Sequence, residues 1–239
     1  MNKWIYKFIQ YGHIHIDSLL NSWSDFRKIF SVEFNHYECV FRDENGKLRS
    51  RKGVGKNFEK NCTDYISKGI LKDLVSLAIY DEDKTSNPWK DMAERQFGLY
   101  VDNDTIPPNN ISFICTCYFK FSKELSIVDV EKLWRIMHKY GDFECMISFG
   151  VEEEKNPEFF MRGMQACPIE ISAENFYSAE EKLMVNKIHD IDLLCDNDLS
   201  SVFPLCILSN HSKMSIDSQA YDEVFNIDTA LLFHKNTKG

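Results

Sequence analysis

The chain of 239 residues is short of the residues and segments that mark several large classes of protein. It has only 10 Gly and 6 Pro, too few for a collagen-like or low-complexity chain. No apolar run reaches the roughly 18 residues that a membrane helix needs. The first residues, MNKWIYKFIQYGHIHID, have neither the apolar stretch nor the cleavage site of a secretion signal. We therefore expect a cytoplasmic protein with no membrane segment, in which the eight Cys are reduced.

Basic residues are the scarcer charge: 28 Lys and Arg stand against 37 Asp and Glu, for a net charge of -9. An acidic protein repels phosphate backbones, so a nucleic-acid partner is disfavoured and a basic protein partner is favoured. Residues 190–228 contain eight acidic residues and only Lys213 as a basic one. These acidic stretches are either solvated faces or a docking surface. For the docking surface the candidate residues are Glu152, Glu153, Glu154, Asp190, Asp192, Asp196 and Asp198.

The apolar periodicity of the first 81 residues predicts an α+β fold with the element order β-α-β-β-α-β. Asn45-Gly46 is a strong hairpin signal between the second and third of these strands, because both turn positions need positive φ. This order is that of a ferredoxin-like unit. The predicted strands are 3–9, 31–43, a third strand that runs through Leu48, and 74–81. The predicted helices are 17–30 and 57–69.

The rest of the chain predicts a second α+β half with the order β-β-α-β and added helices. The clearest helix is 126–141, with Ser126 as its N-cap and Gly141 at its end. We therefore expect a ferredoxin-like half at 1–81, a linker or long loop at 82–95 and a second half at 96–239, or one continuous domain. The remaining predicted strands are 96–101, 111–121, 143–150 and late strands within 202–208 and 224–235. The added helices are 157–164 and 178–191.

The stretch RDENGKLRSRKGVGK, 42–56, is a local exception of positive charge. A phosphate-binding P-loop reads G-x-x-x-x-G-K-[ST], but Ser50 stands where its first glycine belongs and Asn57 follows Lys56. The stretch is therefore predicted to be the tip and second strand of a hairpin, whose charges deter pairing with other edges. Contact with an anionic partner is the alternative.

His13 and His15 form the most suggestive catalytic pattern, because H-x-H on a strand puts both imidazoles on one face. GHIHID resembles the end of the first barrel strand in metal-dependent amidohydrolases. That resemblance implies a metal-dependent hydrolase using His13 and His15, and it is the alternative function. The later His and Asp of that family are not found, because 31–52 reads as a hairpin.

Other nucleophile and ligand patterns are weaker. Cys115-x-Cys117 lies in a predicted strand without the spacing of a zinc knuckle, and we expect both to be core thiols. Cys39 and His36 are three residues apart on a strand and fall on opposite faces, which argues against a nucleophile and base. No catalytic residue and no cofactor is predicted.

At the level of size, charge and architecture the chain resembles the immunity proteins of bacterial polymorphic-toxin and type VI secretion systems. The features that carry the resemblance are the β-α-β-β-α-β start, VEKLWRIMHKYGDF leading into ECMISFG, and the acidic region near the C-terminus. The resemblance implies a non-enzymatic inhibitor that binds one cognate toxin, often a basic domain, and occludes its active site.

Overall fold

The structure is a computed structural model, and it describes twelve segments of the chain. For 98–105 and 114–118 it describes the backbone alone. The described residues are 3–11, 18, 20, 25–27, 29–30, 34–80, 98–105, 114–121, 123–139, 141–151, 204–212 and 216–235, with 18–30 counted as separate short pieces.

The described strands form one ten-stranded sheet in which every neighbouring pair is antiparallel. Its order is β3-β2-β4-β5-β6-β1-β7-β8-β10-β9, so that β3 and β9 are its two outer strands. The strands are β1 Lys3–Tyr11, β2 His36–Arg42, β3 Leu48–Val54, β4 Leu74–Tyr80, β5 Gly98–Thr105, β6 Ile114–Phe121, β7 Phe143–Val151, β8 Leu205–Ser209, β9 Glu223–Ile227 and β10 Ala230–His234.

Two helices connect strands that are not neighbours in the sheet. Helix α1, Phe58–Ser67, joins β3 to β4, and β2 lies between those strands. Helix α2, Ile127–His138, joins β6 to β7, and β1 lies between them. Each unit is a β-α-β crossover with one strand inserted, and each crossover helix contributes buried residues to the same core.

The predicted α+β class is confirmed, since the described residues combine antiparallel strands with helices. The described residues between 18 and 30 are helical, as expected for the second element. The stretch 224–235 contains two strands, β9 and β10, joined at Asp228 and Thr229. The helices predicted at 157–164 and 178–191 lie outside the described residues.

The ferredoxin-like strand order is not formed in the N-terminal half. In that order β1 would lie between β3 and β4, whereas here it pairs with β6 and β7. Ile5, Tyr6 and Phe8 are all fully buried, which shows that both faces of β1 are covered, as for a strand in the middle of a large sheet. Local alternation of apolar residues predicts a strand but not the strands that pair with it. For this reason the sequence predicted the wrong neighbours for β1.

The division into halves at 82–95 stays a prediction, because those residues lie outside the described ranges. Strands from both sides of it belong to the same sheet. β4 pairs with β5 from Ser76 to Tyr80, and β1 pairs along its whole length with β6 and β7.

Aromatic side chains fill the core between the sheet and the helices. Phe8 of β1 lies at its centre, stacked on Trp134 of α2 with ring centroids 6.0 Å apart. Its ring also meets the edges of Phe119 at 5.9 Å and Phe143 at 5.4 Å. Phe26 packs on Phe119 at 5.0 Å and brings the helical residues between 18 and 30 onto the same face. Such offset and edge contacts add to the free energy gained by burying apolar area.

Candidate functional site

The residues that the sequence singled out for binding lie outside the described part of the chain. These are the alternative metal ligands His13 and His15, together with Glu152, Glu153, Glu154, Asp190, Asp192, Asp196 and Asp198. The basic hairpin, the thiols Cys39 and Cys62, and the C-terminal strands are described. The functional candidates in the described residues therefore come from these elements.

The tip of the hairpin between β2 and β3 is organised by Asp43. Its carboxylate accepts hydrogen bonds from the backbone N–H of Asn45 and of Lys47, each at 3.0 Å, and from Arg49 Nε at 2.9 Å. The bond from Arg49 and the bond from the Lys47 amide hold the pKa of Asp43 below its ordinary value. Gly46 has φ +73°, the left-handed conformation that the turn requires. The predicted hairpin is formed, but Gly46 N–H donates to Asp43 O at 2.8 Å, so Glu44 and Asn45 are the central turn residues and Gly46 follows them.

The positive charges of β3 interact with groups of the hairpin itself. Besides the Arg49–Asp43 pair, Lys52 Nζ lies 3.2 Å from Glu38 on β2. The guanidinium of Arg51 stands 5.8 Å above the ring of Phe41. β3 is an outer strand whose cations lie on both of its faces, which is a common way of preventing an edge from pairing.

The two remaining glycines of the hairpin are required by packing. A Cβ at Gly53 would stand 2.5 Å from the ring of Tyr37, and a Cβ at Gly55 would overlap the backbone carbonyl of Phe34. Tyr37 is itself buried, and its hydroxyl accepts a hydrogen bond from Asn61 Nδ2 at 2.7 Å. Burial raises the pKa of Tyr37 to about 12. The glycine spacing thus follows from contacts within the hairpin, in agreement with the prediction that it is not a P-loop.

Cys39 and Cys62 form a buried thiol pair between β2 and α1. Both are free and fully buried. The hydrogen bond with Cys62, together with burial, raises the pKa of the Cys39 thiol well above its ordinary value, which disfavours the thiolate that a nucleophile needs. His36 lies on the opposite face of β2, with its ring 5.9 Å from that of Tyr80. Cys39 and His36 are therefore not a nucleophile and base.

A cluster of polar side chains lies where β1 and β8 end and β7 begins. Gln10 pairs with Phe143, and Ser209 Oγ lies 2.5 Å from Nδ1 of His211. The ring of His138 is stacked on Trp134 and lies 6.3 Å from that of His211. Among the described residues, three buried polar atoms have no hydrogen-bond partner: Gln10 Oε1, His138 Nδ1 and Glu144 Oε2.

This cluster was not predicted from the sequence, because its members are up to 201 positions apart and none belongs to a short motif. Ser209 is almost fully buried, so its hydroxyl is not presented to a substrate. Within the described segments, no group of three His, Cys, Asp or Glu side chains is placed to hold a metal ion. The cluster is a group of buried polar side chains, some of them hydrogen-bonded to one another, at a corner of the sheet.

The edge of the sheet formed by β9, opposite the edge formed by β3, combines exposed apolar side chains with negative charge. On β9, Val224 is 45% and Phe225 37% exposed, and Leu231 on the neighbouring β10 is 36% exposed. Residues 216–235 include Lys235 as their only Lys or Arg. Their acidic residues are Asp217, Asp222, Glu223 and Asp228. We call β9 and these four carboxylates the acidic edge.

The acidic edge is fixed at both ends. At the β9–β10 turn, Trp134 Nε1 donates to Thr229 Oγ1 at 3.1 Å, and Arg135 lies 3.4 Å from Asp228. At the other end, the hydroxyl of Tyr221 donates to Cys206 Sγ at 3.2 Å. Glu223 also lies 3.1 Å from His234 Nδ1. β9 is thus held against both α2 and β8.

Comparisons with known proteins were made for families, curated proteins and solved structures. No family model matches the chain, and no curated protein matches it. A solved structure described as a Pseudomonas aeruginosa T6SS protein is similar, with a TM-score of 0.48 and 10% sequence identity. The match covers 98% of this chain and 65% of that one, so the chain spans about two thirds of its length. At this degree of similarity we draw no functional argument from it.

The described helices were also compared with the requirements of a membrane span. None of them is both long enough and apolar enough to cross a bilayer.

Proposed function

We propose that the chain is a non-enzymatic binding protein that acts in the cytoplasm as an immunity protein. It binds a cognate bacterial toxin, blocks the toxin by occlusion, and needs no cofactor. The partner is a basic toxin domain, and neither nucleic acid nor membrane takes part. The proposal extends the sequence resemblance to immunity proteins of polymorphic-toxin and type VI secretion systems.

The observation that carries the proposal is the acidic edge. Exposed Val224 and Phe225 offer apolar contact area on an outer strand, and four carboxylates lie within the same twenty residues, 216–235. Exposed apolar side chains on a strand that is flanked by charge of one sign suit the docking of a protein of the opposite charge. The net charge of -9 extends the same field over the molecule and favours rapid encounter with a basic partner.

The stretches predicted from the sequence stay candidates for the same interface. Charge reversal separates them from the acidic edge: one variant carries Asp196→Lys and Asp198→Lys, and the other carries Asp222→Lys and Asp228→Lys. If only the second variant loses the partner, the acidic edge is the interface. If only the first does, the interface lies in the stretch predicted from the sequence.

The test of the function is growth protection. The product of the gene next to this one is expressed in a bacterial host with and without the chain. We expect growth arrest with the toxin alone, rescue on co-expression, and a stable complex of the two proteins. If the neighbouring product is not toxic, or if the chain neither rescues growth nor binds it, the immunity proposal is wrong.

Metal analysis distinguishes this proposal from the alternative, a metal-dependent hydrolase using His13 and His15. We expect purified protein to contain far less than one zinc ion per chain, and the double variant His13→Ala, His15→Ala to retain partner binding. Stoichiometric zinc that is lost in this double variant would favour the hydrolase, because imidazole nitrogens would then be metal ligands. His211→Ala, in the polar cluster, is the matched control.

A further inference from the structure

Among the described strands, the outer strand β9 has fewer of the features that protect an edge from pairing than β3 has. Its five residues, EVFNI, contain one charged residue, Glu223, and no Lys or Pro, and its register with β10 is continuous from Glu223 to Ile227 without a bulge. The other outer strand, β3, carries Arg49, Arg51 and Lys52. An unprotected outer strand presents a row of backbone N–H and C=O groups that can pair with an added strand.

β9 is also preorganised for pairing. The contacts of Thr229 and Asp228 with α2, and of Tyr221 with Cys206, fix the strand at both ends. A fixed strand loses little conformational freedom when another strand is added, so more of the interaction energy contributes to affinity. Val224 and Phe225 lie on opposite faces of the sheet, because they pair with Phe233 and Leu232 of β10. An added strand could therefore make an apolar contact on either face.

The charges of the acidic edge indicate which kind of chain segment can pair with β9. In an antiparallel pair of two β9 strands centred on Phe225, Asp222 of one copy would lie opposite Asp228 of the other. Like charges directly opposite each other destabilise a strand pair. The basic strand β3 of another copy is also disfavoured, since two copies that each carry a net charge of -9 repel each other. A basic segment from a different protein meets neither obstacle.

We propose that β9 accepts an extended segment of the basic partner as an eleventh strand of the sheet. The segment alternates apolar and basic residues. Its apolar side chains lie on the face of Phe225, and its cations lie on the opposite face, towards Asp222 and Asp228. The identification of the partner as a toxin rests on the proposed function, but the strand addition itself does not.

The test uses a synthetic peptide of alternating Lys and Val residues as the probe and hydrogen–deuterium exchange as the readout. We expect the peptide to slow exchange of outward-facing β9 amides by about tenfold or more, equivalent to a site mostly occupied by the peptide. Exchange of the β3 amides should stay unchanged. A peptide of alternating Glu and Val should have no effect. Absence of protection, or protection of β3 instead, would overturn the proposal.

Two exposed-edge variants make the test specific. Phe225→Lys adds a cation and removes an apolar contact on β9, and should weaken peptide binding about threefold to tenfold. Leu48→Lys makes the same kind of change on β3, where Leu48 is 51% exposed, and should leave binding unchanged. Equal binding by both variants contradicts the proposal, provided that circular dichroism shows both to be folded.

Association of the chain with itself is the remaining outcome. We expect the chain to sediment as a monomer, with β9 amides exchanging freely at all concentrations. Concentration-dependent assembly that protects β9 would show that a second copy is the occupant and would overturn the proposal. Growth protection that survives Phe225→Lys would refute the docking edge and leave the immunity function standing. Protection of β9 by the peptide, together with a failure of the chain to rescue growth, would refute the immunity function and leave the docking edge standing.

Discussion

At the scale of single residues, the three hairpin glycines each satisfy a different constraint. Gly46 supplies the positive φ of the turn, Gly53 makes room for the ring of Tyr37, and Gly55 for the carbonyl of Phe34. The sequence predicted the first, because Asn-Gly is a local signal. The other two depend on residues 16 and 21 positions away in the chain, which no local pattern contains.

Gly55→Ala should be among the most destabilising substitutions in the hairpin. A Cβ at Gly55 would overlap the backbone of Phe34. Gly55 N–H also donates to Asn35 O at 2.7 Å, so the two backbone segments cannot move apart freely. We expect a loss of about 2 kcal/mol or more in the free energy of unfolding, as for overpacking of a rigid site. Urea denaturation measures it, with exposed Lys56→Ala as a control that changes it by less than about 0.5 kcal/mol.

Asp43 should show how the hairpin tip responds to pH. Its folded-state pKa is lowered, so its contribution to stability is present above the ordinary carboxyl pKa of about 3.9 and is lost as pH falls through the lowered value. Arg49→Ala should raise the pKa of Asp43 towards the ordinary value, since the bond from Arg49 is the largest cause of the shift.

Carbon-detected NMR titration of the Asp43 carboxyl measures this pKa in both proteins. The control is Lys52→Ala, which removes a cation of the same strand that lies on Glu38 instead. An unchanged Asp43 pKa in Arg49→Ala, or an equal rise in Lys52→Ala, would show that the shift comes from the general positive charge of the hairpin.

At the scale of elements, local signals predicted what forms but not what pairs. Helix α2 follows from its apolar spacing and its cap, and the structure confirms both: Ser126 Oγ accepts from Asp129 N–H at 3.2 Å. β1 was predicted as a strand, yet its neighbours β6 and β7 lie more than a hundred residues further along the chain. Strand pairing over such separations depends on the whole core, which periodicity does not encode.

Ser126→Ala should weaken α2 through its first turn. The substitution leaves the Asp129 amide without its side-chain acceptor, and we expect the free energy of unfolding to fall by about 1 kcal/mol. Thermal or urea denaturation measures the loss. Ser126→Thr, which keeps a capping hydroxyl, should recover most of it, and exposed Val128→Ala serves as the control in the same turn. Equal stability of the Ala and Thr variants would mean that the cap contributes nothing.

At the scale of the whole molecule, charge was the most informative property of the sequence. It predicted an acidic protein with a basic partner, but it could not choose among the acidic stretches, because a carboxylate count does not reveal exposure. The structure adds Val224 and Phe225, whose exposure follows from the position of β9 at the end of the sheet. In the sequence alone, VFNI reads as an ordinary strand.

The polar cluster around Gln10 and His138 shows the same limitation. Its residues come from β1, α2, β7 and β8, and only the sheet order brings them to one corner. Composition and spacing could not have located it.

The most direct measurement is stopped-flow association of the purified chain with the protein encoded by the gene beside its own, which the proposed function expects to be a basic toxin. We predict a one-to-one complex whose association rate falls about tenfold or more between roughly 0.05 and 0.5 M salt, because salt screens the attraction between acidic edge and basic partner. Asp222→Lys with Asp228→Lys should slow association at low salt. No complex, or an association rate that neither salt nor charge reversal changes, would contradict an acidic protein that docks a basic partner through β9.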